Sequence, residues 1–230
     1  WVIGVLLLFV PTFTSEFTQH QIFGWAFILG MISLSLMILA GYGGMVSLVQ
    51  MTAAAAAGYA TAIFGVSAVT EISFAWPWLI TVALAIIVSV LVCVISGALA
   101  IRTQGIYTIM ITLAIGSAFF YFTRQNYSVF NGFTGFNGVP TPILFGVNWK
   151  EPTPFYYLTL GISALSYWFT LHLARTPFGL ALQGVRDNPR RMAAMGYNVN
   201  AHRLAAYAIA GIISGIAGVL LVWSTGQISP

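Results

Sequence analysis

Charged side chains are scarce in this sequence of 230 residues. Lysine and arginine total eight, aspartate and glutamate total four, and together they make up 5% of the chain, whereas roughly 25% is usual for soluble domains. So few charges cannot cover the surface of a water-soluble fold of this size. Because 59% of the residues are hydrophobic, we expect lipid to surround most of the surface. Nucleic acid is not an expected partner, because the arginines lie in loops between apolar segments, the pattern of a membrane protein.

Signatures of enzymatic and metal-binding sites are also missing. The single cysteine, Cys93, lies in an apolar run and has no partner for an intrachain disulfide. The histidines His20, His172 and His202 stand isolated near the ends of apolar segments, without the paired spacing of metal ligands. No HExxH, GxSxG or CxxC motif occurs, and the acids fall in predicted loops, so no carboxylate pair for acid–base chemistry can be placed. We therefore predict a membrane protein that is not an enzyme and binds no metal or cofactor of its own.

The same absences constrain how transport would be energised. No ionisable residue lies at the centre of a predicted span, where proton-coupled carriers commonly keep one. Sodium coupling through carbonyls and hydroxyls stays open. The sequence has no P-loop, and its one lysine, Lys150, lies in a loop between spans, so this chain cannot bind ATP in that way. For uphill transport, ATP with magnesium is expected on a separate subunit.

Uncharged stretches recur along the chain at about 20 residues, the length that crosses a ~30 Å hydrocarbon core as helix. The predicted spans are Ile22 to Ala40, Met51 to Thr70, Pro77 to Ile101, Gly105 to Phe122, Pro154 to Ala174 and Leu204 to Gly226. An apolar run over residues 1–10 adds a further segment. Since the sequence opens on that run without a methionine and stops at GQISP, we expect a fragment truncated at both ends. The predicted fold is an all-α, polytopic integral membrane bundle of about seven segments, with residues 1–230 in one domain.

Five of the eight basic residues lie in one hydrophilic segment, residues 175–203, called here the arginine-rich loop. Placing this loop in the cytoplasm puts Arg102 on the same side, and Arg124 and Lys150 on the other, as the positive-inside rule expects. Within the loop, the sequence predicts a short helix from Pro177, a break at residues 187–189, a second helix to residue 195 and a C-cap at Gly196. Two such helices form a rigid knob for a soluble partner; a loop that only fixes topology is the alternative.

The stretch GYGGMVSLVQMTAAAAAG, residues 41–58, combines glycines, polar side chains and alanines. Glycine-rich backbone at membrane depth is tolerated only where protein buries it or where it lines a cavity. Small residues such as Ala54 and Gly58 let helices approach closely. Two interpretations stay open: a tight turn followed by a packing helix, and a broken or re-entrant segment beside a transport path.

Four blocks of this sequence occur in the order of a known family: GYGGMVSLVQM (41–51), LAIRTQGIYTIMITLA (99–114), NGFTGFNGVP (131–140) and the block over residues 176–220. The sequence resembles the permease subunits of branched-chain amino acid ABC importers, specifically the M-type member of the pair. The resemblance implies a multi-pass protein of the bacterial inner membrane. Its expected partners are a second permease, two ATPase subunits and a periplasmic or lipid-anchored substrate-binding protein. By resemblance, the ATPase-coupling loop contains Arg186, Asp187, Asn188, Arg190, Ala193, Ala194 and Gly196.

Polar side chains for a solute path come from three places. These are the stretch 41–58, the hydroxyl-bearing start of the span 105–122, and the glycine-rich outer loop, which the resemblance places near a gate. The candidate pathway residues are Ser47, Gln50, Tyr107, Thr108, Thr112 and Asn137. The GIISG pattern at residues 211–215 is interpreted as helix packing rather than a substrate contact.

The function predicted from the resemblance is an ATP-driven importer permease for branched-chain or related amino acids. The solute stays open, since related permeases carry amides, urea or other amino acids. An ion-coupled secondary transporter is the main alternative, and a membrane scaffold that transports nothing is another. Only the importer needs a nucleotide-dependent partner at residues 186–196.

Overall fold

Helices make up most of the computed structural model, which describes residues 7, 10–11, 13–69, 71–103, 105–144 and 147–230. They are α1 (Thr18–Tyr42), α2 (Val49–Phe64), α3 (Trp78–Ala100), α4 (Ile106–Gln125), α5 (Tyr127–Phe130), α6 (Pro152–Arg175), α7 (Pro177–Asp187), α8 (Pro189–Ala194) and α9 (Val199–Thr225). The described strands are β1 (Phe136–Asn137), β2 (Ile143–Leu144), β3 (Val147–Asn148) and β4 (Gln227–Ile228). Strand β1 pairs with β4 and β2 pairs with β3, both antiparallel.

Four helices are long and apolar enough to cross a membrane, namely α1, α3, α4 and α9, with 25, 23, 20 and 27 residues. In addition, α2 is a shorter apolar helix, and α6 has 24 residues. The predicted all-α, polytopic membrane bundle is therefore confirmed. Of the seven segments expected, the run over residues 1–10 lies mostly outside the described residues.

The predicted span from Met51 to Thr70 is wrong at its end, because α2 stops at Phe64. The next residue, Gly65, is extended, with ψ of −158°, and a Cβ there would lie 2.6 Å from the carbonyl oxygen of Thr61. The chain then folds back along the helix, where the Trp76 N–H donates to the Phe64 carbonyl at 2.9 Å. The two rings stack with 5.6 Å between centroids. Apolar composition continues through this return, so hydropathy alone does not mark the helix end.

Helix α9 is the centre of the bundle. In its most apolar stretch of 18 residues, 67% of the residues are buried, the highest share among the four spanning helices. Gly218 lies against the backbone of α2, where a Cβ would meet the Ala54 carbonyl oxygen at 2.1 Å. Gly211 and Gly215 pack against α3, and the Ser89 hydroxyl donates to the Gly211 carbonyl at 2.8 Å. The GIISG pattern is therefore a helix-packing motif, as predicted.

The contacts of α9 fix the direction of its neighbours. Contacts with α3 run from Gly97 to Ser89 as α9 runs from Tyr207 to Gly215, so these two helices are antiparallel. On α2, Ala54 lies against Gly218 and the later Gly58 lies against the later Val222, so α2 and α9 run parallel. Arg102, which follows α3, therefore lies at the same end of the bundle as the arginine-rich loop, as predicted.

The outer loop lies at the opposite end of the bundle. There β1 pairs with β4, directly after α9, and the Asn137 carbonyl accepts the Ala68 N–H at 2.8 Å. The Thr153 hydroxyl donates to Gln19 Oε1 at 3.0 Å, so the starts of α1 and α6 also meet at this end. The alternation of ends predicted from the charges is confirmed for the described residues.

Replacing Gly218 with alanine should lower thermal stability, because the new methyl group meets a backbone carbonyl that cannot rotate away. Overpacking of this kind costs about 1–3 kcal/mol. Gly161→Ala in α6 is the matched control, since a Cβ there meets no described atom within 4 Å. Melting temperatures of both variants in detergent measure the difference. Equal melting temperatures would contradict the close approach of α9 and α2.

Candidate functional site

The arginine-rich loop folds into the two predicted short helices, α7 and α8, which together with Gly196 are called the knob. Each helix begins with a proline and a side-chain cap. The Thr176 hydroxyl accepts the Gly179 N–H at 3.3 Å, and Asn188 Oδ1 accepts the Arg191 N–H at 3.0 Å. Gly196 ends the knob with a φ of +89°, a conformation that favours glycine. Local capping therefore makes the knob rigid on both sides of the turn at residues 187–189.

The two helices of the knob differ in burial. Helix α7 packs into the bundle through Leu182 and Val185, whose exposed fractions are 1% and 0%. Helix α8 has no buried residue, and Met195 beyond it is 63% exposed. The stretch MAAMG, residues 192–196, is mostly exposed; its small residues suggest a compact core of the knob when the sequence is read alone, and that interpretation is wrong. The residues of the predicted coupling loop are all exposed: Arg186, Asp187, Asn188, Arg190, Ala193, Ala194 and Gly196.

Between α1 and α2 the backbone is not helical. Helix α1 ends in a π-helical turn, Ile38–Tyr42, and the following residues 43–48, called here the break, have no regular structure. Gly44 has a φ of +66°, which requires glycine or strain. The Met45 N–H donates back to the Leu39 carbonyl at 2.9 Å. An irregular segment is therefore followed by a small-residue packing helix, as the first sequence interpretation describes; a transport path beside this segment stays a prediction.

Arg186 connects the knob to the break. Its Nη1 donates to the Gly41 carbonyl oxygen at 2.5 Å, and its Nε donates to Asp187 Oδ1 at 2.9 Å. Its aliphatic stem lies on Gly44, where a Cβ would be 2.5 Å from Arg186 Cγ. The glycines are visible in the sequence, but their partner is 145 residues away, so sequence reasoning missed this contact.

A groove between α2 and α4 begins where the break ends. The Leu48 N–H donates to Thr112 Oγ1 at 3.2 Å, which ties the end of the break to α4. The groove has a volume of about 570 Å³. Its lining is mostly apolar, and its hydroxyl-bearing residues are Thr52, Tyr59, Thr112, Ser117, Tyr121, Thr123 and Ser229. Sequence reasoning assigned only Thr112 of these to a path, because the facing sides of the two helices depend on their packing.

The other predicted pathway residues of this region lie around the break rather than in the groove. Ser47 and Gln50 have exposed fractions of 0% and 3%. Within the described part of the chain, the Gln50 amide has no hydrogen-bond partner. Thr108 is buried one turn before Thr112, and its carbonyl accepts the Thr112 hydroxyl at 3.0 Å. These side chains share one end of the bundle with the knob.

Two predicted pathway residues are not brought to this region. Tyr107 is 69% exposed and does not line the groove. Asn137 lies at the opposite end, where it lines a second cavity of about 910 Å³ together with His20 and Lys150. The predicted pathway set is therefore divided between the break, the groove, the surface of α4 and the far end.

The helical bundle, its broken segment and its exposed knob define a multi-pass membrane protein. Residues 19–230 match the family model described as "Branched-chain amino acid transport system / permease component". The chain therefore belongs to this family, and the resemblance found in the sequence is confirmed. None of the solved structures matches the chain.

Curated relatives match parts of the chain. The high-affinity branched-chain amino acid transport system permease protein LivM of Salmonella typhimurium is 24% identical over 153 residues, 56% of this chain and 36% of the relative. The probable branched-chain amino acid transport permease protein LivM of Methanocaldococcus jannaschii is 32% identical over 108 residues, 47% of this chain and 31% of the relative. The matched part thus spans about a third of each relative.

Replacing Thr112 with valine should destabilise the protein, because the Leu48 N–H then loses its acceptor. A donor left unsatisfied out of water costs about 1–3 kcal/mol, which is the upper range for this part-buried hydrogen bond. Thr170→Val in α6 is the control, since the buried Thr170 hydroxyl donates to the Ser166 carbonyl of its own helix. Thermal melting in detergent should show the larger loss for Thr112→Val. Equal losses would mean that the contact between the break and α4 contributes nothing.

Proposed function

We propose that the chain is the permease subunit of an ATP-driven importer that carries branched-chain or related amino acids across the bacterial inner membrane. Membership in the permease family supports the assignment to amino acid transport. The knob carries the assignment to ATP coupling, since it combines capped helices, anchoring in the bundle and an exposed outer face. A loop that only fixed topology would need none of these features.

The proposed importer contains a second permease, two ATPase subunits that hold ATP with magnesium, and a periplasmic or lipid-anchored binding protein. The arginine-rich loop lies in the cytoplasm and the knob contacts an ATPase. The small side chains of Ala193 and Ala194 permit close approach of a partner, while the caps keep the contact surface rigid. When the ATPases close around ATP, the knob is displaced and moves the helices joined to it.

The groove suits an amino acid with an aliphatic side chain. No charged side chain lines it among the described residues, and its apolar wall offers no set of polar groups that would select urea or a small amide. Its scattered hydroxyls hold a polar solute weakly. Weak holding favours passage, and selectivity then belongs to the binding protein that delivers the solute.

Crosslinking from the knob tests this proposal. Single cysteines are placed at Arg190 and Ala194 in the full-length protein with Cys93 replaced by alanine, and native membranes are treated with a photoactivated maleimide. We expect capture of a subunit that mass spectrometry identifies as an ATP-binding-cassette protein, with a yield that changes on adding ATP. A cysteine at Gln125, exposed at the opposite end, is the control and should capture none.

Failure to capture an ATPase at either knob position, with normal expression, would contradict the importer assignment. Uptake that continues without ATP and follows an ion gradient would then favour the secondary transporter.

Gly196→Val should uncouple ATP hydrolysis from uptake, because valine at a φ of +89° strains the end of the knob by about 1–3 kcal/mol. Gly196→Asn is the graded control, since asparagine enters the left-handed region more readily than other non-glycine residues. Uptake per ATP hydrolysed in proteoliposomes should fall in the order glycine, asparagine, valine. If Gly196→Val takes up as much solute per ATP hydrolysed as the unmodified protein, Gly196 is not part of the coupling surface.

A further inference from the structure

Arg186 lies in the knob, but its guanidinium is engaged inside the chain. Nη1 donates to the Gly41 carbonyl at 2.5 Å, and Nε donates to the adjacent Asp187 carboxylate at 2.9 Å. The Gly41 carbonyl is at the C-terminal end of α1, where the helix dipole favours a cation. Arg186 thus combines a charge-assisted hydrogen bond with a favourable position at a helix end.

Gly44 provides the space for this contact. A Cβ on Gly44 would be 2.5 Å from Arg186 Cγ and 3.3 Å from Arg186 Cβ, so any other residue displaces the arginine stem. The φ of +66° turns the chain here. Arginine and glycine therefore form one interlocked contact between α7 and the break, with a polar part at Gly41 and a steric part at Gly44.

The break has a second anchor at its far end. The Leu48 N–H donates to Thr112 Oγ1 at 3.2 Å, and both residues line the groove. Between the two anchors, the Met45 N–H donates to the Leu39 carbonyl at 2.9 Å. The backbone of residues 41–48 therefore connects the contact with the knob to the wall of the groove.

We propose that Arg186 is a positioning residue that links the knob to the break, so that displacement of the knob moves the break and reshapes the groove. Its side chain acts within the permease, while the contact with the ATPase belongs to α8. The inference rests on the proposed function, because it needs a partner that displaces the knob. It adds the internal route by which that displacement reaches the groove.

A matched pair of glycines tests the steric part. Gly44 and Gly105 both have positive φ, +66° and +61°, but a Cβ at Gly105 meets no described atom within 4 Å. Alanine at either position is strained by its positive φ, and only Gly44→Ala displaces Arg186. Reconstituted with its ATPases and binding protein, Gly44→Ala should lower uptake per ATP hydrolysed by about tenfold, within the range of typical coupling between sites. Gly105→Ala should take up as much solute per ATP hydrolysed as the unmodified protein.

Arg186→Met tests the polar part, because methionine keeps an unbranched apolar stem and removes the donors. We expect a similar fall in uptake per ATP, while crosslinking of the ATPase from a cysteine at Ala194 stays at the unmodified yield. Arg102→Met, an exposed arginine at the same end of the bundle, is the control and should change neither quantity. A Gly44→Ala, Arg186→Ala double variant should lose less than the sum of the two single losses, since Arg186→Ala removes the shortest contact, the one with Cγ.

Three outcomes would overturn the inference. Loss of ATPase crosslinking in Arg186→Met would mean that Arg186 contacts the ATPase directly. Unchanged uptake per ATP in both Gly44→Ala and Arg186→Met would mean that the contact carries no displacement. Additive losses in the double variant would mean that the two residues act independently. Failure of the proposed function is distinguishable from these, because the unmodified protein would then capture no ATPase.

Discussion

Backbone that leaves the helical path inside a membrane protein must find hydrogen-bond partners, because lipid offers none. Residues 41–48, the end of α1 and the break, meet that constraint with partners from α1, α4 and α7. The Gly41 carbonyl is bound by Arg186, the Met45 N–H by α1 itself, and the Leu48 N–H by Thr112. The positions of the knob, α1 and α4 relative to α2 therefore depend on one short irregular segment.

Around this segment the bundle has a tightly packed part and a loosely packed part. Glycines of α9 touch the backbones of α2 and α3, which leaves little room for relative movement. In helix α4, in contrast, only 17% of the residues in the most apolar stretch of 18 are buried. A displacement that reaches α4 therefore meets fewer contacts that oppose it. The groove lies between the packed helix α2 and the loosely packed α4, which is where a change of shape requires the least repacking.

The knob was predictable from the sequence because its signals are local. Prolines, an asparagine cap and Gly196 mark its helix ends within a few residues of each other. The contact of Arg186 was not predictable, because its partner Gly41 lies 145 residues away and their approach depends on how α7 packs on the bundle. The end of α2 was misplaced because apolar residues continue past Phe64. Helical spacing places Thr112 and Tyr107 on different faces of α4. Which of these faces meets α2 is decided by packing, so the sequence alone could not separate the groove residue from the exposed one.

The most direct test of a link between the knob and the groove is amide hydrogen exchange across residues 43–48 in the assembled transporter. Exchange is compared in the nucleotide-free state and after trapping with ATP and vanadate. We predict that trapping changes the exchange rates of Met45 and Leu48 in the unmodified protein, and that Arg186→Met abolishes this change while vanadate trapping itself persists. Identical exchange across the break in both states of the unmodified protein would contradict the link.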